Sequence, residues 1–193
     1  MFAFNITGIL KGPADLGKEL DLVASTKNHR CQIAITPFAK GSARYAYRAR
    51  LQVGDSWRTY IVKKFIEPAE RTPANYQAQV QQDNLACFLA ARWMQEKRFP
   101  HGPRHTGEGV EYVESRIIGV RGAGGSTEQF SLEDEVRGAD AWARYTTNNG
   151  GSDESTAAEL LRFSQWTYDY SGGYLMVTDI QGGKHRDGYS LPP

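Results

Sequence analysis

Residues 163–182 read FSQWTYDYSGGYLMVTDIQG. Just upstream, Thr156 and Glu159 have capping-box spacing, and Ala157, Leu160, Leu161 and Ser164 keep a helical period, so a helix runs into the stretch. Ser171-Gly172-Gly173 then supplies a turn, because glycine reaches positive φ cheaply. Tyr174-Leu175-Met176-Val177-Thr178 predicts a buried strand that delivers Asp179 and Gln181 to its exit, with Gly182-Gly183 following. A carboxylate and an amide at a strand end, with glycines after them, fit a catalytic edge. A strand followed by a polar turn is the plainer reading of the same residues.

The chain has 193 residues, enough for one domain with a sizeable core, and its net charge is +1. That balance gives no strong field for nucleic acid or a membrane surface. The two cysteines, Cys31 and Cys87, are too few for a disulfide scaffold and lack metal-ligand spacing, so reduced thiols are expected. The opening MFAFNITGILKG lacks the charged and apolar regions of a signal peptide, and no apolar run is long enough to span a bilayer. A cytoplasmic protein is the expectation.

Earlier in the chain, residues 1–30 are broken by Gly8, Gly12, Pro13 and Gly17. A strand is expected to begin at Gln32. Residues 37–51 predict two strands joined by a Gly41-Ser42 turn, whose backbone N–H groups could cover phosphates. Gly54-Asp55 closes a second hairpin, and residues 57–65, WRTYIVKKF, form the next strand. Lys63 lies inside that strand and needs an anion or a route to water; a nucleotide phosphate is one candidate anion, with Lys64 then the solvated lysine. Taken alone, both lysines reaching solvent along their stems is the simpler reading.

Residues 77–97 form the clearest helix, with a core stripe of Leu85, Phe88, Leu89 and Trp93 widened by Cys87, Ala91 and Met94. His101 and His105 are expected in a surface loop. Residues 110–120 are strand-like but interrupted by Glu111 and Glu114, and residues 121–137, glycine-rich and then acidic, read as a flexible insertion. Asn148-Asn149-Gly150-Gly151 is a turn signal.

In order along the chain stand FAKGSARYAYRA at 38–49, YIVKKF at 60–65, VESRIIG at 113–119, ARYTTNNGG at 143–151 and the stretch quoted first. This series resembles the catalytic domain of the alpha-kinases, atypical Ser/Thr protein kinases of the myosin heavy chain kinase and elongation factor 2 kinase type. The resemblance covers about residues 32–191. It implies an α+β, two-lobed protein-kinase-like fold. The N-lobe, about 1–112, would be an antiparallel sheet with one long helix; the hinge and an incomplete C-lobe would occupy about 113–193. ATP would lie between the lobes. By resemblance, Lys63 contacts the α- and β-phosphates, Gly41 and Arg44 lie in the glycine hairpin over them, and Glu114 is the hinge glutamate near the adenine. Asp179 orients or deprotonates the acceptor hydroxyl, and Gln181 helps hold Mg²⁺. Phosphoryl transfer needs mostly positioning and charge neutralisation, which suits this set.

Departures from the family pattern accompany the matches. Gln165 stands where the family has a zinc-binding histidine, and an amide is a poor zinc ligand, so no zinc site is expected. Without zinc, Trp166, Tyr168 and Tyr170 are expected to be largely buried anchors. The family's second magnesium aspartate would fall near Leu191, and the nearest carboxylate is Asp187. Asp83 is the central acid of the long helix, among glutamines, so no acidic partner for the lysine is expected from that helix. Two functions follow: weak ATP-dependent Ser/Thr phosphorylation of a protein substrate, or an inactive pseudokinase that binds nucleotide or a protein partner.

Overall fold

A computed structural model describes residues 2–4, 22–24, 28–98, 109–122, 125–139, 141–152, 158–186 and 188–192. The strands are β1 (Phe2–Phe4), β2 (Leu22–Ala24), β3 (Cys31–Ile33), β4 (Ala39–Lys40), β5 (Arg44–Val53) and β6 (Ser56–Phe65), then β7 (Gly109–Tyr112), β8 (Ser115–Arg121), β9 (Thr127–Asp134), β10 (Ala141–Arg144), β11 (Gln181–His185) and β12 (Gly188–Leu191). The helices are α1 (Pro73–Arg98) and α2 (Ala158–Tyr170). They divide into two compact units. The first includes Leu22–Asn84 and Glu114–Glu135, the second Leu85–Val113 and Val136–Pro193.

The first unit is built on a six-stranded antiparallel sheet in the order β3-β5-β6-β9-β8, with β4 also on β5. Its long hairpin pairs Val53 with Ser56 and turns at Gly54-Asp55, where Gly54 has φ 61°, as expected for a two-residue loop. One face carries Ala49, Leu51, Tyr60, Val62, Ile118, Phe130 and Leu132 in a single cluster. On the other face Phe65 and Ile117 pack with Tyr76 and Val80 from the first turns of α1. Each such side chain contributes about 1.5–3 kcal/mol on full burial.

Helix α1 begins four residues before the sequence expectation. Thr72 caps it: its hydroxyl oxygen accepts from Asn75 N–H at 3.2 Å, and proline is tolerated at the first helical position. Of the expected stripe, Leu89 is buried and Leu85, Phe88 and Trp93 pack against its cluster, but Ala91 is exposed.

The second unit holds a four-stranded sheet, β10-β11-β12-β7, in which only β12–β7 is parallel. Its core joins Leu89, Val110, Leu160, Phe163, Ile180, Tyr189 and Leu191. The run at 110–120 is thus two strands in two sheets, divided at Val113-Glu114, one of the two places where the acids interrupt it.

Three expectations need correction. The region read as a flexible insertion, 121–137, instead holds β9, which pairs with both β6 and β8 and buries Phe130, Ser131, Leu132 and Glu133. Residues 174–178 form no strand. They have no ladder partner, because hydroxyls of α2 take their inward backbone bonds: Thr167 Oγ1 accepts from Val177 N–H at 2.9 Å, and Ser164 Oγ donates to Val177 O at 2.6 Å. Among the aromatic anchors, Trp166 and Tyr170 are half-buried and stack with centroids 4.6 Å apart, but Tyr168 is exposed, lying over Gly173. Thr156, His101, His105 and Asp187 lie outside the described residues. No described helix is long and apolar enough to cross a membrane.

Candidate active site

In the first unit, the register sets Lys63 opposite Ala46 on β5 and Ser131 on β9, so its side chain shares a face with Arg44 and Glu133. That face is covered by α1, and a lysine there must be matched by an anion. The match is Glu133, whose Oε2 lies 2.8 Å from Lys63 Nζ, with side-chain exposures of 5% and 14%. Beside this pair, Arg44 Nη1 reaches Asp83 Oδ2 at 3.5 Å and Ser131 Oγ at 3.5 Å, both long contacts, and Gln79 donates to Asp83 Oδ1 at 2.8 Å. The central acid of the long helix is therefore matched by Arg44. Burial pushes the Glu133 carboxyl above its ordinary range, and the Lys63 ammonium pulls it only partway back. Lys64, expected to be solvated, instead pairs with Glu128 and lies over the Phe130 ring.

Gly41 sits in the β4–β5 turn, its N–H donating to Arg44 O at 2.9 Å. Among the described residues, the Ser42 and Ala43 amides make no hydrogen bond. Glu114 is not brought beside Lys63. Its carboxylate accepts from Arg116 Nη2 at 2.9 Å, and Arg116, opposite Leu132 in the ladder, occupies the other face of the sheet.

In the second unit, Asp179 adopts φ 55°, the one described non-glycine residue in the left-handed region. Such strain, of order 1–3 kcal/mol, persists only where surroundings enforce it. Here Asp179 N–H donates to Thr147 O at 3.2 Å, and Ile180 N–H to Thr146 Oγ1 at 2.8 Å, so the Asn-Gly turn pins both sides of the bend. Arg144 Nη2 lies 2.5 Å from Asp179 Oδ1, an ion pair without hydrogen-bond alignment, and also donates to Asn148 Oδ1 at 2.7 Å. Tyr112 is held above the ordinary phenol range by burial first, then by the charges of Cys87 and Asp179.

Gln181 opens β11, exposed, its amide without a partner among the described residues. An oxygen ligand two residues from a half-exposed carboxylate suits Mg²⁺, which is commonly held by one or two carboxylates plus phosphates. Gln165 is exposed and donates to Asp169 on its own helix at 3.1 Å.

Sequence reasoning missed Glu133 and Arg144. A lysine inside an apolar strand calls for an acid inside another, but no local pattern singles out Glu133 from Glu128, Asp134 and Glu135 around it.

The alpha-kinase family model matches residues 39–191. Alpha-protein kinase vwkA of Dictyostelium discoideum is 24% identical over 163 residues, 83% of this chain and 24% of that protein. Eukaryotic elongation factor 2 kinase of Mus musculus is 26% identical over 159 residues, 78% of this chain and 20% of its own length. The chain thus spans a quarter or less of these curated relatives. Among solved structures, an alpha kinase from Entamoeba histolytica superposes with TM-score 0.67 at 20% identity, over 84% of this chain and 63% of that one. The alpha-kinase domain of myosin heavy chain kinase A in complex with AMP gives TM-score 0.66 at 17% identity, over 84% of this chain and 74% of that one. The alpha-kinase model's match over residues 39–191, well over half of the sequence, shows that this chain belongs to the alpha-kinase family.

Proposed function

We propose that this chain is a protein kinase module that binds MgATP and transfers its γ-phosphoryl group, slowly, to Ser or Thr hydroxyls of protein. The observation that carries this reading is the Lys63 ammonium, 14% exposed on a sheet face with Arg44 and near a hairpin with two unpartnered amides. Two cations and free N–H groups are what a polyphosphate requires. Lys63 and Arg44 bind the phosphates, which replace or share Glu133 as the counter-charge. Glu114, whose carboxylate accepts from Arg116, is the hinge acid of this reading, near the adenine. Asp179 accepts the proton as the acceptor hydroxyl oxygen bonds to the γ-phosphorus and ADP leaves. Gln181 is the residue that would hold Mg²⁺ with phosphate oxygens; the ion, when bound, neutralises phosphate charge.

The family's second magnesium aspartate has no counterpart near Leu191, which leaves the neutral Gln181; loss of one electrostatic stabiliser typically lowers kcat by about 10²–10³, so turnover should fall well below the roughly 1–100 s⁻¹ usual for kinases. Radiolabelled phosphate transfer to a generic basic protein tests this. Slow transfer by the wild type, lost in Asp179→Ala with nucleotide binding retained, is expected. Equal transfer by the variant would refute the role of Asp179.

A second reading, nucleotide binding without transfer, is favoured by one observation: Arg144 occupies the Asp179 carboxylate. MgATP stabilisation with no detectable transfer would select it.

A further inference from the structure

The segment 174–178 binds through one side of its backbone only. Leu175 N–H donates to Ser171 Oγ at 3.0 Å, and Leu175 O lies 3.0 Å from the same hydroxyl. Val177 is held likewise by Thr167 and Ser164. Leu175 and Val177 turn both main-chain groups toward α2, as alternate residues of an extended chain do, so those of Met176 between them face away; Tyr174 stands at the bend that leads in. Among the described residues no hydrogen bond reaches the main chain of Tyr174 or Met176. Their side chains are 60% and 40% exposed. Three residues after Met176, the chain bends at Asp179.

The geometry points to this edge as the docking strand for a polypeptide acceptor. An extended Ser- or Thr-bearing segment adds alongside 174–176 by main-chain hydrogen bonds, and its hydroxyl is carried toward Asp179. The inference rests on the proposed role of Asp179. The occupant follows from the edge itself. Donors and acceptors repeating every second residue match an extended backbone, whereas a helix has already used its own. The acceptor class is therefore disordered tails and loops, with apolar side chains at alternate positions to cover Tyr174 and Met176.

Residue-resolved amide exchange on the full chain tests this, with reduced, carboxymethylated casein as the disordered probe. In the free protein, amides 174 and 176 should exchange fast and amides 175 and 177 slowly. Saturating casein should slow 174 and 176 by about tenfold or more, roughly the worth of one hydrogen bond. Met176→Pro removes an outward donor and no inward bond. It should weaken binding of fluorescent casein about tenfold, while Met176→Leu binds normally and the MgATP-induced melting shift stays unchanged in both. If the proline variant does not fold, exchange on the wild type decides. Phosphate transfer to casein with both amides still fast would overturn the docking strand and leave the kinase reading intact. Protected amides without transfer would support docking and count against transfer. Casein that neither binds nor protects at millimolar concentration overturns the inference, whatever nucleotide does.

Discussion

Lys63 and Glu133 are each other's condition for being buried. Breaking such a pair leaves one charge stranded, which costs about 3–5 kcal/mol; with Lys63 14% exposed, Lys63→Met should fall near 3. Lys63→Met combined with Glu133→Gln removes both charges and should recover most of that loss, as measured by urea unfolding. The pH dependence follows from the Glu133 carboxyl, which burial raises above its ordinary 4.5 against the pull of Lys63. A carboxyl raised in the fold contributes stability that is complete below 4.5 and is lost as pH rises through its folded value. The deficit of Glu133→Gln relative to wild type should therefore shrink as pH climbs from 4 upward. A deficit that grows would mean that Lys63 outweighs burial. Glu133 was not legible because alternation assumes one solvated face. On β9 both faces are covered, so the acid in Leu132-Glu133-Asp134 turns inward as fully as its neighbour.

At the level of elements, the sequence showed those with strong local signals. The Gly54-Asp55 hairpin and α1 follow from turn chemistry and period. The region of β9 was hidden by its acids and by Gly122 and Gly125, which form the hairpin turn entering it, Gly125 N–H donating to Gly122 O at 3.0 Å. The 174–178 segment looked like a strand because its composition is that of one, yet Ser164, Thr167 and Ser171 replace the ladder. Thr167 is fully buried, and Thr167→Val would leave Val177 N–H unsatisfied. A loss of about 1–3 kcal/mol is expected, with faster exchange at amide 177. Gly182 is required for space as well as conformation. It has φ 153°, and a Cβ would stand 2.5 Å from the Ser190 carbonyl oxygen, which cannot move without disturbing β12. Gly182→Ala should cost about 2 kcal/mol or more, read from thermal melting.

For the molecule as a whole, the order of motifs carried the family, and the residues proposed for its chemistry divide between the two compact units. Lys63, Arg44 and the hairpin amides belong to the first unit; Asp179 and Gln181 belong to the second. What remained hidden were the long-range charge partners, since pairs such as Lys63–Glu133 and Arg144–Asp179 depend on register and on a bend that no local pattern announces. The central claim is that the first unit binds nucleotide phosphate through Lys63. It is tested most directly by MgATP-dependent unfolding of wild type beside Lys63→Met/Glu133→Gln, a variant that keeps the net charge and leaves no stranded ion. At about 100 times its Kd, MgATP should stabilise the wild type by roughly 2.7 kcal/mol and the folded double variant hardly at all. No stabilisation of the wild type at millimolar MgATP, or an equal gain in both proteins, would contradict it.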